Sequence, residues 1–177
     1  MKAERPAREA LLRLARGLHR RKVAVIGDLV LDQYWVGRSS RISREAPVLI
    51  LEYEEERRVP GGAANAAMNV RALGGAPLVV GRLGGDPAGG ALALALRASG
   101  LATRWLTRDR RGGTVVKTRV LAGSSHAARQ QIVRLDRGHS EALTRGAERA
   151  LIRCAKIAVR RADAVLLSDY GYGVLSP

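Results

Sequence analysis

The stretch Val59-Pro60-Gly61-Gly62-Ala63-Ala64-Asn65-Ala66-Ala67-Met68-Asn69-Val70-Arg71-Ala72-Leu73-Gly74 sets a pair of glycines directly against an alanine-rich, helix-permissive run that closes on another glycine. Glycine lets the backbone come close to a ligand. The start of a helix presents unpaired N–H groups at the positive end of its dipole, so the junction suits an anionic or hydroxyl-rich ligand. Asn65, in the first turn, carries an amide that both donates and accepts hydrogen bonds. Taken alone, the same residues also fit a tight turn followed by a core helix, and the surrounding sequence has to decide.

Working outward, Leu78-Val79-Val80 leads through Gly81-Arg82-Leu83 into Gly84-Gly85-Asp86, a short apolar strand ending in a second glycine-rich turn with an acid. Upstream, Val23-Ala24-Val25-Ile26 is apolar without alternation, the pattern of a strand covered on both faces, and Gly27-Asp28 closes it. A helix over 63–73, a strand over 77–82 and an Ala/Leu-rich helix over about 87–98 give the strand–helix rhythm of a doubly wound, mostly parallel α/β sheet. Residues 144–160 read as an amphipathic helix, and Ala164-Val165-Leu166-Leu167 as another buried strand ending at Ser168-Asp169. Strands near 48–58 and 114–121 form a small accessory sheet, and Trp105 falls in a short strand as a packing residue. At the N-terminus, Ala7, Leu11, Leu14, Ala15 and Leu18 recur at helical spacing behind Pro6. The organisation is an N-terminal helix in residues 1–21 and one domain over 22–177.

In an open α/β sheet ligands bind beyond the carboxyl ends of the strands, where Asp28, Asp32 and Asp169 fall. The series Gly61, Gly62, Asn65, Ala67, Gly74 and Gly84 resembles the first signature of the ribokinase-like (PfkB) carbohydrate kinases. The segments 27–35, 40–43, 45–48, 117–121, 130–136 and 167–170 resemble the heptose 7-phosphate kinase branch of that family, which makes ADP-heptose precursors of lipopolysaccharide. The resemblance covers about residues 22–175 and implies a Rossmann-like, ribokinase-type sheet with a small β lid that closes over the sugar and contacts a second copy. It makes Asp32 and Asp169 sugar-binding acids, with Asp28, Gly61, Gly62, Asn65, Gly85 and Asp86 as further substrate-binding positions. It also implies a basic cluster for the 7-phosphate, assigned to Lys117, Arg119 and Arg134; Lys117 and Arg119 are two apart on one strand and share a face. The branch has Lys where Tyr172 stands.

For the complete enzyme the resemblance implies ATP and Mg²⁺, bound by a following half that bears a Gly-Ala-Gly-Asp loop with the catalytic base. No such loop occurs in these 177 residues. The expectation is the N-terminal, sugar-binding half of a kinase, inactive alone, whose partners are a sugar phosphate, a second copy through the lid strands, or a complementing C-terminal half. A non-catalytic sugar-phosphate-binding module and a basic nucleic-acid-binding protein are the alternatives.

Composition narrows these. No Walker A loop is present and no GxGxxG follows the first strand, which removes P-loop and dinucleotide-binding readings. One cysteine, Cys154, and three scattered histidines, His19, His126 and His139, give neither a disulfide framework nor zinc spacing. No run of 18 apolar residues and no signal-peptide pattern occurs, so the expectation is a cytoplasmic protein without a membrane. Lys and Arg number 31 against 16 Asp and Glu, a net charge of +15. The arginines run from Arg5 to Arg161 without forming a block and without interleaved aromatics, which makes nucleic acid the least favoured partner.

Overall fold

Val23, Ala24, Val25 and Ile26 are all buried, because their strand has a parallel neighbour on each edge and helices on both faces. The computed structural model describes residues 5–123, 129–138 and 142–175, with side chains from Arg8 onward; His126, His139 and Pro177 lie outside the described residues. The elements in chain order are α1 (Arg5–Gly17), β1 (Lys22–Gly27), β2 (Leu29–Ile42), β3 (Leu49–Gly62), α2 (Ala63–Ala72), β4 (Ala76–Gly84), α3 (Pro87–Ala98), β5 (Leu106–Asp109), β6 (Val115–Gly123), β7 (Gln130–Arg137), α4 (Arg145–Arg161) and β8 (Ala164–Ser168).

They make two four-stranded sheets. The first, ordered β5-β4-β1-β8, is parallel throughout. Alternate residues of β1 face opposite ways. Val23 and Val25 pack with Ala63, Ala67, Leu92 and Leu96 of α2 and α3, while Ala24 and Ile26 pack with Leu151 and Ala158 of α4. The second sheet, ordered β3-β2-β6-β7, pairs β2 with β3 and β6 with β7 antiparallel, and β2 with β6 parallel. It is the lid, and at 14 residues each β2 and β3 are long for strands in globular proteins.

The chain passes from β1 of the first sheet to β2 of the second through a single residue, Asp28. Asp32 therefore does not stand at the carboxyl end of β1, as the sequence reading has it, but four residues into the lid. Leu29, Val30 and Leu31 carry the chain across as buried apolar residues without a loop. Three further readings are corrected. The glycine pair is no turn: β3 runs through Gly61 and Gly62 straight into α2. Trp105 precedes β5 instead of lying in a strand, and is buried with Arg104 and Arg161 at its ring, 5.2 and 5.4 Å from the centroid. And β8 is an edge strand in the described sheet, leaving Val165 and Leu167 exposed.

Candidate functional site

The N-terminus of α2 has no side-chain cap. Its first N–H, from Ala63, instead donates to the main-chain carbonyl of Asp28 at 2.9 Å, which locks the helix to the junction of the sheets. The close approach explains the glycines. Gly62 has φ +60°, a conformation side chains rarely adopt, and any Cβ there would meet the Asp28 carbonyl. A Cβ on Gly61 would fall on the carboxylate of Asp32, 2.8 Å from its Cγ.

Asp32 lies on one face of the lid with Tyr34, since residues two apart on a strand share a face. On β6, Lys117 is in register with Asp32 and Arg119 with Tyr34. The Arg119 guanidinium donates to Oδ1 of Asp32 at 2.5 Å and sits 5.4 Å from the centre of the Tyr34 ring. Both charged side chains are about four-fifths buried, 23% and 20% exposed. The hydrogen bond to Asp32, ahead of the burial that opposes it, raises the Arg119 pKa further, so the guanidinium is a fixed cation.

The side chain of Asp28 holds a third segment. It is 1% exposed, and Oδ2 accepts N–H bonds from Tyr170 and Tyr172 at 2.9 and 3.0 Å while Oδ1 accepts from Val174 at 3.0 Å. This corrects the reading of Asp28 as a sugar ligand: a buried carboxylate with three backbone donors is an anchor. What it anchors is the turn that carries Tyr170 and Tyr172 to the lid, where their ring centres lie 6.0 and 5.6 Å from Nζ of Lys117. Asp169, exposed just past the end of β8, accepts from Gly171 N–H at 2.8 Å through Oδ1. Asn65 is exposed in the first turn of α2.

The remaining candidates have partners of their own. Asp86 caps α3: its carboxylate accepts from Gly89 N–H at 2.9 Å, and from Thr114 N–H and hydroxyl at 3.1 and 2.7 Å. Burial pushes its pKa up, but these hydrogen bonds outweigh it and hold the carboxyl below the usual range. Gly85 lies against the backbone of Arg110, so both residues shape the β4–α3 corner. Arg134, opposite Arg119 on β7, is exposed and paired with Asp136 at 2.8 Å. The tyrosines at 34 and 170 escaped sequence reading. Tyr34 had a signal in its two-residue spacing from Asp32, whereas Tyr170 is placed by a long-range contact.

The charge is less dispersed in space than in sequence. Arg145, Arg149, Arg153, Lys156 and Arg160 recur three or four residues apart on α4, form one stripe, and are all exposed. Glu148 is the only acidic residue of that helix.

The profile of the pfkB family carbohydrate kinases matches residues 20–170. The chain belongs to this family. Among curated relatives it is 47% identical over 155 residues to the bifunctional protein HldE of Azorhizobium caulinodans, covering 87% of this chain and 31% of that protein. It is 39% identical over 154 residues to HldE of Shewanella amazonensis, with the same coverage. The chain thus spans about a third of the length of these relatives. Among solved structures, phosphofructokinase-2 of Escherichia coli in complex with fructose-6-phosphate superposes with TM-score 0.56 at 17% identity over 85% of this chain and 45% of that one. Arabidopsis thaliana ribokinase complexed with ribose and ATP gives 0.52 at 20% identity over 84% and 45%. These likenesses establish the ribokinase-type pfkB fold with its parallel sheet and lid.

Among the described residues no three His, Cys, Asp or Glu side chains converge as metal ligands. No helix among the described residues is long and apolar enough to cross a membrane.

Proposed function

We propose that this chain is the sugar-binding half of a carbohydrate kinase that transfers the γ-phosphate of ATP to a heptose 7-phosphate, a step toward ADP-heptose and lipopolysaccharide. The observation that carries the reading is the Asp32 carboxylate, held at Gly61 beside the start of α2 with one oxygen engaged by Arg119. The other oxygen accepts from a sugar hydroxyl. Asn65, on the adjoining first turn, and Asp169, beyond β8, hold further hydroxyls, and Lys117 supplies positive charge for a phosphate. This chain's part in phosphoryl transfer is to bind and orient the acceptor, since that chemistry rests on position, a metal and a base for the hydroxyl; the donor site and base belong to sequence these residues do not contain. By the same reading, a second copy covers the exposed lid residues Trp35, Val133 and Leu135, or a complementing half covers Val165 and Leu167 of β8.

Calorimetry of the chain with D-glycero-D-manno-heptose 7-phosphate tests the reading. We expect binding that weakens about tenfold or more in Asp32→Ala and Asn65→Ala, the effect of removing one partner of a buried hydrogen bond. Unaltered affinity in both variants, or no binding by the parent chain, refutes it. Heptose-dependent ATP consumption should be absent from the chain alone.

A further inference from the structure

The three cations assigned to the substrate's phosphate are not equivalent, and resting on the reading above we propose a division of labour: Arg119 is a positioning residue for Asp32, and the substrate's anionic group is taken by Lys117 between Tyr170 and Tyr172. The division follows from what each cation already touches. Arg134 is paired with Asp136 on its own strand. Arg119 is bound to Asp32 from one side and stacked on Tyr34 from another, and a guanidinium held this way in a mostly buried setting has its charge matched. Turning it toward a phosphate would strip Asp32 of its partner in a place where an unpaired carboxylate is costly.

Lys117 differs. Among the described residues it has no carboxylate within ion-pair distance, although Asp32 and Asp136 are its register neighbours on the flanking strands. Among the described residues its ammonium is matched only by the faces of two tyrosine rings. Rings attract a cation without neutralising its charge or using its N–H donors as a carboxylate would. Lys117 therefore combines partial desolvation, a fixed location and three donors, which suits a compact dianion such as a phosphate monoester. One strand away, Asp32 turns its unengaged oxygen toward Gly61. The site is thus built as a pair: a hydroxyl acceptor oriented by Arg119 and Tyr34, and beside it an anion receptor set by Lys117 and two tyrosines. Tyr34, Tyr170 and Tyr172 enter the site through these cations.

The test compares heptose 7-phosphate with unphosphorylated heptose by calorimetry. In Lys117→Gln the preference for the phosphorylated sugar should fall about tenfold or more, as for loss of a charge-assisted hydrogen bond, with affinity for the neutral sugar unchanged. Arg119→Gln should weaken both sugars by the same factor and leave the preference intact; loss of the preference in Arg119→Gln overturns the division. A second measurement does not need the sugar. In the ligand-free chain, inorganic phosphate titrated against NMR signals of lysine and arginine side chains should shift Lys117 and leave Arg119 Nε–H in place, whereas Asp32→Asn should shift Arg119. Movement of Arg119 with phosphate, or no movement of Lys117, overturns the inference even if the heptose reading itself has failed.

Discussion

Gly61 lies beneath Asp32 so closely that a methyl group on its Cα would sit 2.8 Å from the Asp32 Cγ. Arg119 prevents the carboxylate from simply swinging aside. Gly61→Ala should therefore act as an indirect Asp32 variant, weakening heptose 7-phosphate by about tenfold, the scale of one lost buried hydrogen bond, while circular dichroism keeps its parent spectrum. An affinity equal to the parent's would mean that Asp32 is free to move and is not held for a hydroxyl.

Asp28 predicts a stability effect and not a chemical one. Replacing it with Ala leaves three N–H groups, of Tyr170, Tyr172 and Val174, without their acceptor, at about 1–3 kcal/mol for each that water does not reach. Urea denaturation should show the loss, and limited proteolysis should cut within 169–175 before the fold as a whole yields. A protected turn in the variant would contradict the anchoring role.

Acid should loosen the contacts that Asp86 makes at the start of α3 and Asp109 at the start of α4. Burial pushes the Asp109 pKa up, but the N–H groups of Thr144 and Arg111, the Thr144 hydroxyl and the charge of Arg82 bring it below the usual range; Asp86 is lowered in the same direction. Folded values below the unfolded ones mean that the unfolded chain binds more protons, so stability rises with pH through this range. The contribution is complete above about pH 4–5 and disappears as the pH falls through the folded values. The urea midpoint should drop from pH 7 to pH 3, and the drop should shrink in Asp86→Asn and Asp109→Asn. Equal drops in parent and variants would remove these two from the acid transition.

The α4 stripe sets the outcome with nucleic acid. Without aromatic side chains between its cations it offers only phosphate contacts, so duplex DNA near 150 mM salt should bind no tighter than the non-specific range of about 1–100 µM. Arg149→Glu with Arg153→Glu and Lys156→Glu should abolish what binding there is. Submicromolar affinity at that salt would make nucleic acid a partner after all.

Much of the frame was legible because it is written locally. Val23 to Ile26 is apolar at every position, as a doubly covered strand requires, and α2, α3 and α4 fall where the alanine-rich and amphipathic runs place helices. The lid was less legible. In β2 the apolar residues are interrupted by Asp32, Gln33, Arg38, Ser39 and Ser40, and strand pairing comes from distant partners, including Gln33 with Arg58 and Arg38 with Glu52. The site was half legible. Asp32 and the glycines carry a recognisable spacing, but the task of Asp28 depends on donors 142 to 146 residues away, and the unequal standing of Lys117 and Arg119 depends on which cation finds a carboxylate. Neither is encoded in a window of sequence.

One residue spans the passage from β1 to β2, and it is tied by its carbonyl to α2 and by its carboxylate to the tyrosine turn. Asp28 is in effect a rivet through three pieces of the fold. The start of α2 and the turn carrying the tyrosines beside Lys117 therefore share one fastening point, and a substitution that removes only the Asp28 carboxylate releases the second while leaving the main-chain tie to the first.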